Sequence, residues 1–528
     1  MANLELEAGE LEARGRAFSL DFAFAVPGIW AVVFAAFVLR LALAFFPGFG
    51  VDIGSFTAWS ARLADLGPWD FYSPDYFSDY APGYLYVLWL FGELNRHLTL
   101  SPGEFEYLLK MPPTIADVAS VYLLYRLLEG RREGLRLAAA AAYAFFPAAL
   151  LVGPIWGQVD SLSAFFLLLS VYMIVKDRLP AAAVAYVVGF VIKPQIVAAF
   201  PFLAFWIMKE HPPKWLPPTP EGWLRVTGWA LVFVGAGGAL AAYMIDSSQT
   251  SLQAAGGLAA VAGGALVAIG TYAGRGRELD AAEGRREPAG IPVPPAGWTA
   301  AGLAGFAALV LLIYPFFPGA PWDFVDQLRR ATEVDIYRVT SFWAYNFWGF
   351  VGFFKSDGQE YLFLSYRHWG LLMFAVAVAG TLFALKDVKE NWGLALGTAL
   401  CTLAFYVFLT RMHERYMFPV FLPLLAACVL RNHPALWWML GLLSLLHFVN
   451  LYHVYMWYND NELRWEWLFR RLEDPDFLGT GLEARRALSL PMWLSFPMLL
   501  ATTYLLARSA RRAEHPRAAV AGARPTGA

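Results

Sequence analysis

Charge is scarce in this sequence. Only 16% of its 528 residues are Asp, Glu, Lys or Arg, against about a quarter in a soluble protein, and that shortage excludes an ordinary water-facing surface. Cysteine is scarcer still. Cys401 and Cys428 are the whole supply, both inside apolar runs, so they read as small core residues and no disulfide framework is indicated. No excess of one sign exists either. Forty basic residues meet 42 acidic ones, a balance that argues for neither nucleic acid nor an acidic partner. No solenoid repeat is visible, and the opening MANLELEAGELEARGR is acidic and lacks a cleavable signal pattern. The first apolar run is therefore expected to be a true helix.

What the chain does have is apolar length: 58% of it is hydrophobic and 16% aromatic. A hydrocarbon core roughly 30 Å thick needs about 20 mostly apolar residues per helical crossing, and runs of that kind recur along almost the whole sequence. The pattern predicts an all-α polytopic membrane protein of about fourteen spans. They start near residues 25, 109, 134, 160, 179, 195, 222, 253, 298, 368, 391, 416, 435 and 490. Three of these are short for a full crossing, and the pair flanking Pro194 suits a helix broken beside a polar cavity.

Basic residues fall on alternate sides of these spans. RLLEGRREGLR, KDR, KEHPPK, RGRELDAAEGRR, KDVK, RNH and the tail RSARRAEHPR are the inner connections, as the positive-inside trend requires. The reading gives a cytoplasmic N-terminal tail (1–24), a membrane domain (25–508) and a cytoplasmic basic tail (509–528), with a Pro/Gly/Arg/Glu-rich inner linker at 274–297. Three outer segments remain: 47–108, 318–367 and 457–489. The first two are dense in Trp, Tyr and Phe, as expected of amphipathic segments at headgroup level. The third carries five arginines and fits the trend least well.

The outer side also holds charges that the trend disfavours. TRMHERYMFP (410–419) sets Arg411, His413, Glu414 and Arg415 between two uncharged apolar runs, and Lys193 lies in the helix-breaking VIKPQ. A charge at mid-membrane depth costs on the order of 2.5–3.5 kcal/mol on insertion scales, so such residues usually face a cavity. If 411–415 are helical, Arg411 and Arg415 share a face and repel unless an anion sits between them. Each cation alone could snorkel, or pair with Glu414 or Asp160. Together with His413 they point to a phosphate site, since Arg forks and Lys ammonium groups are its usual ligands. Two acids lie just beyond helix ends on the same side: Asp52 in GFGVDIGSF and Asp160 in WGQVDS. Asp160 also reads as a helix cap.

At these residues the sequence resembles the GT-C superfamily of integral-membrane glycosyltransferases. It looks most like bacterial mannosyltransferase-like members and, more distantly, dolichol-phosphate-glucose-dependent glucosyltransferases. The resemblance runs from about residue 25 to 460. It rests on VDIGSFTAW, YAPGY, WGQVD, IKPQ, SFWAYNFWG and MHERY, in that order and with that sidedness. It implies a GT-C-like membrane domain with outer-loop amphipathic helices. Its substrates would be a polyprenyl-phosphate-linked sugar donor, mannose or glucose, and a glycan, glycolipid or protein acceptor at the outer face of the plasma membrane. The first-loop acid, Asp52, would be the base. Ile53 stands where the family often has a second acid, which weakens a metal site. No cofactor is expected, and a divalent ion stays open. The eukaryotic relatives have His-Glu-Lys where this chain has His413, Glu414 and Arg415.

The chemistry expected of those residues is inverting transfer. Asp52 takes the acceptor's proton while Lys193, Arg411, His413 and Arg415 hold the leaving phosphate. Asp160, Gln158, Tyr80, Glu414, Tyr345 and Asn346 are further candidate substrate contacts, and Trp59, Tyr84 and Trp343 could offer rings to sugar or isoprenoid. The rival reading is a transporter or flippase for a lipid-linked sugar or other phosphate-containing substrate, and a non-catalytic scaffold is the third.

Overall fold

A computed structural model describes residues 28–212, 214–216, 291–293, 296–320, 323–459, 463–467 and 481–521. The whole N-terminal tail, the end of the C-terminal tail, the spans expected near 222 and 253, most of the inner linker and much of 457–489 lie outside the described residues. The described chain is mostly helical with few strands. It opens with α1 (Gly28–Leu43), α2 (Gly50–Leu66), α3 (Pro82–Leu98), α4 (Pro102–Leu109), α5 (Met111–Leu127), α6 (Glu133–Ala144) and α7 (Pro147–Leu150). A π-helical segment, Leu151–Trp156, leads to α8 (Asp160–Val175) and α9 (Leu179–Ile192). A 3-10 turn at Pro194–Ala199 then precedes α10 (Phe200–Glu210).

Past the short strands β1 (Lys214–Leu216) and β2 (Ile291–Val293) come α11 (Ala296–Ile313) and α12 (Asp323–Thr332). The second outer segment continues through β3 (Ser341–Phe342), α13 (Phe347–Val351) and the hairpin β4 (Glu360–Tyr361) with β5 (Leu364–Ser365). The remaining elements are α14 (Tyr366–Leu385), α15 (Asn391–Phe408), β6 (Met412–His413), a 3-10 turn (Glu414–Val420), α16 (Phe421–Arg431), α17 (Pro434–Tyr458) and α18 (Gly481–Ala521).

Among the described residues the crossings expected of fourteen spans do not emerge. Four of the described helices are long and apolar enough to cross a membrane: α14, α15, α17 and Arg485–Ala510 of α18. A fifth is possible if α6 and the Pro147–Trp156 stretch, bent by 43° at their junction, form one broken span. The reason for the difference is length. α1, α8 and α9 have 16, 16 and 14 residues, and 16 residues rise only about 24 Å. Proline sets several of these limits. Pro147 and Pro194 begin new segments, since proline removes a backbone donor and disfavours helix in the residue before it.

Among the described residues two apolar cores organise the packing. The larger joins α5–α8, α10 and α14–α17. The smaller belongs to the first outer segment: Phe56, Trp59, Leu63, Tyr84 and Leu88 pack with Ile313, Phe316 and Phe324. Trp59, Tyr84 and Trp343 are all buried; they serve packing, and their rings are not open faces for a ligand. Val191 and Ile192, at the end of α9, belong to the smaller core. Gly83 of YAPGY explains the fit, because a Cβ there would come within 2.6 Å of the Val191–Ile192 backbone.

Within the larger core Arg40 and Asp117 are both fully buried, Nε to Oδ2 3.3 Å apart. Tyr143 Oη donates to Asp117 Oδ1 at 2.8 Å, and Arg40 Nη1 donates to the Ala144 carbonyl. Removing one partner of a buried pair strands the other charge and costs roughly 3–5 kcal/mol. Arg40→Ala is therefore expected to lower the unfolding temperature sharply, and Arg40→Ala, Asp117→Leu to recover part of the loss. Thermal unfolding of detergent-purified protein checks this, and an unchanged midpoint in the single variant refutes it.

Candidate functional site

The two cores meet where the polar motifs converge. α9 stops at Ile192 because Pro194 disfavours helix at residue 193. Lys193 is accordingly extended, at φ −148° and ψ 108°, and turns its side chain toward the head of α8. Its Nζ lies 2.7 Å from Asp160 Oδ2 and 3.2 Å from Gln158 Oε1. Gln195 Nε2 donates to Asp160 Oδ1 at 2.9 Å, and Tyr80 Oη donates to Gln158 Oε1 at 2.9 Å. Asp160 is the first residue of α8, but its carboxylate makes no cap bond. It is an ion-pair partner, so the cap reading fails.

The 410–419 stretch is not one helix. Arg411 sits at φ +64°, Met412 and His413 pair in parallel with Ser341 and Phe342, and a 3-10 turn starts at Glu414. Arg411 and Arg415 are thus not stacked on a shared face. Arg411 Nε contacts Asp357 Oδ2 at 2.6 Å, and its Nη1 donates to the Thr332 carbonyl. Arg415 Nη1 contacts Glu414 Oε1 at 2.8 Å. Each of the three cations therefore has a carboxylate beside it: Lys193 and Arg415 take the Asp160 and Glu414 pairings that the sequence left open, and Arg411 takes Asp357, which it did not indicate.

A cleft of about 380 Å³ opens on this cluster. Lys193, His413, Arg415 and Tyr416 line its polar end together with Asp79, Tyr80 and Gln195, while Val197, Leu371, Phe405 and Leu409 form an apolar wall. Val197 and Leu371 are exposed at the surface, so the apolar wall reaches the outside of the bundle. Arg411 stands at the edge, and the Lys193 Nζ lies 5.7 Å from the Tyr416 ring centre. His413 is packed among Phe342, Tyr337 and Tyr416. Burial, reinforced by Arg415 and Lys193, pushes its pKa well below the usual histidine value, so it is neutral. A larger polar cleft of about 710 Å³ adjoins across Arg411 and Arg367.

Asp52 lies in the first turn of α2, where the helix N-terminus favours a carboxylate. Its Oδ2 accepts from Trp156 Nε1 at 2.7 Å. Asp52 does not line the cleft, but its charge reaches Asp79, Tyr80, Glu414 and Arg415. Asp79 in turn accepts from Tyr337 Oη at 3.3 Å. Burial, then the Asp52 charge, raises the Asp79 pKa from its ordinary value. Burial likewise raises Glu414.

Two expected contacts are spent elsewhere. Asn346 caps α13 through Oδ1 and donates from Nδ2 to the Tyr406 and Leu409 carbonyls, so its amide is not free for sugar hydroxyls. The backbone N–H of Tyr345 donates to Asn450 Oδ1, and its hydroxyl sits 3.3 Å from His453 Nδ1; neither residue lines the cleft. Reading the sequence missed Asp79, Trp156, Gln195 and Tyr416. Asp79 stands just before YAPGY, and Trp156, Gln195 and Tyr416 stand within WGQVD, IKPQ and MHERY. Tyr337 carried no such signal. Among the described residues no group of three or more His, Cys, Asp or Glu comes together to hold a metal ion. No family profile matches the sequence, and no curated protein matches it.

Proposed function

We propose that this protein is a GT-C-type membrane glycosyltransferase that moves a hexose from a polyprenyl-phosphate donor to an acceptor hydroxyl, with inversion. One observation carries the reading: the cleft joins a buried cationic end to an apolar wall that reaches the surface of the bundle. An amphiphile with an anionic head and a hydrocarbon tail matches that shape. The phosphate goes to Lys193 and Arg415, with His413 as a neutral hydrogen-bond donor, and the isoprenoid follows Val197 and Leu371. The site faces outside and both termini are cytoplasmic in this reading, which rests on the loop charges.

Charge must be reconciled with that role. Asp52, Asp79, Asp160 and Glu414 outnumber the two cations. Burial pushes the pKa of Asp79 and Glu414 up; with both protonated, two cations would face the two carboxylates of Asp52 and Asp160, and the phosphate would be held by the Lys193 and Arg415 hydrogen-bond donors rather than by net charge. In the reaction, the acceptor oxygen forms a bond to the anomeric carbon while the bond from that carbon to the phosphate oxygen breaks. The electron pair leaves on the phosphate, where fixed cations are most effective, and the hydroxyl proton passes to Asp52.

A flippase keeps one argument: broken helices at Leu151–Trp156 and Pro194–Ala199 are a common feature of transport sites. Purified protein in liposomes, given polyprenyl-phosphate carrying a radiolabelled hexose, separates the two. Label appearing in an acceptor glycan or glycolipid supports transfer. Label that crosses the bilayer still attached to its lipid, with none transferred over a panel of acceptors, overturns it.

A further inference from the structure

Asp52 has one carboxylate oxygen held and one open, and the residue that holds it is unusually well fixed. Trp156 is fully buried and closes the π-helical segment Leu151–Trp156, which contains Pro154. Such segments are rare, and many mark functional sites. This one turns out of the helix at Gly157, φ +87°, a left-handed conformation suited to glycine. A Cβ on Gly157 would also come within 2.8 Å of Ile53 Cδ1, beside Asp52.

Trp156 grips the head of α2 at two points. Its indole Nε1 donates to Asp52 Oδ2 at 2.7 Å, and its carbonyl accepts from the Phe49 backbone N–H at 2.9 Å. The Phe49 ring stacks on the indole at 4.6 Å. Behind the π segment stands the buried Arg40–Asp117 pair, and a Cβ on Gly153 would lie 2.9 Å from Asp117 Oδ2. The segment therefore packs closely against that charge pair.

We propose that Trp156 is a positioning residue for Asp52, its indole N–H fixing one carboxylate oxygen so that the other is aimed at the acceptor hydroxyl. An indole N–H can only donate, so it fixes which oxygen is occupied whatever the state of the site. Among the described residues Oδ1 has no hydrogen-bond partner, which leaves it for the proton. The inference rests on the proposed transferase reading.

Trp156→Phe keeps a ring against Phe49 and Tyr455 but removes the N–H donor together with part of the buried indole. Misaiming a reacting group can cost on the order of 10²-fold in rate. The expected result is a kcat lowered about 10- to 100-fold with donor KM unchanged, beside a lower unfolding midpoint from the lost buried volume. Introduced into Asp52→Asn, the same change should cost the residual rate nothing further, because residues acting through one contact are not additive. Wild-type kcat in Trp156→Phe, or an equal loss in both backgrounds, overturns the proposal. Failure of the transferase reading looks different: the unaltered protein then transfers no sugar at all. The contact has its own readout in the indole ¹⁵N–¹H signal that Trp156→Phe removes. It should shift in Asp52→Asn, and a signal indifferent to residue 52 also overturns the proposal.

Discussion

Asp52→Asn is expected to lower turnover by roughly 10²–10⁴-fold, the contribution of a positioned general base, while donor affinity and thermal stability hardly change. The substitution keeps the side chain's shape and an oxygen for the Trp156 indole, but that oxygen no longer takes up a proton. A merely structural Asp52, stabilising the start of α2, would tolerate Asn well, since the two residues serve similarly at helix starts. The control is Asp160→Asn. Asp160 sits between Lys193 and Gln195 at 2.7 and 2.9 Å, so its loss should disturb donor binding before it disturbs the proton transfer. Steady-state rates with donor varied at saturating acceptor separate the two. Near-normal kcat in Asp52→Asn beside collapse in Asp160→Asn would move the base to Asp160.

What could be read from the sequence was local. Lys193 stands out because Pro194 ends a helix there, and the break alone sends the lysine inward. Asp52 stands out as a lone acid after an apolar run. The partners were not legible, because each comes from far along the chain. Asp357 reaches Arg411 across 54 positions and Asp160 reaches Lys193 across 33, and no periodicity encodes such meetings. Asp79 illustrates a subtler failure: YAPGY was singled out next to it, yet its interest lies in burial and in the nearby Asp52 charge, neither of which a sequence displays. The span count failed because apolar composition does not distinguish a helix long enough to face lipid across a bilayer from a shorter one buried against its neighbours. α8 is the clear case, mostly apolar after its opening Asp160 but only 16 residues long.

Lys193 and Arg415 are expected to hold the donor phosphate, and Arg411 is not. Hydrogen bonds to charged groups contribute about 1.5–3 kcal/mol, so losing Arg415 should raise donor KM about 10- to 150-fold. Arg415→Ala alone leaves Glu414 buried without its hydrogen-bond partner, so the clean variant is Arg415→Ala, Glu414→Gln. Arg415→Lys should restore binding only in part, because an ammonium lacks the planar fork. Arg411→Ala should leave donor KM near its usual value and lower the unfolding temperature, since Arg411 ties Asp357 to the Thr332 carbonyl. The same geometry fixes a pH dependence. Asp79 and Glu414 have raised pKa values, so both are neutral below that range. As pH climbs through it, each gains a negative charge beside the phosphate. Donor KM should therefore rise with pH, and Asp79→Asn should both lower KM at high pH and flatten the rise. A donor KM in Asp79→Asn that tracks the unaltered protein at every pH would remove Asp79 from the donor site, and normal donor KM in the Arg415 double variant would remove Arg415.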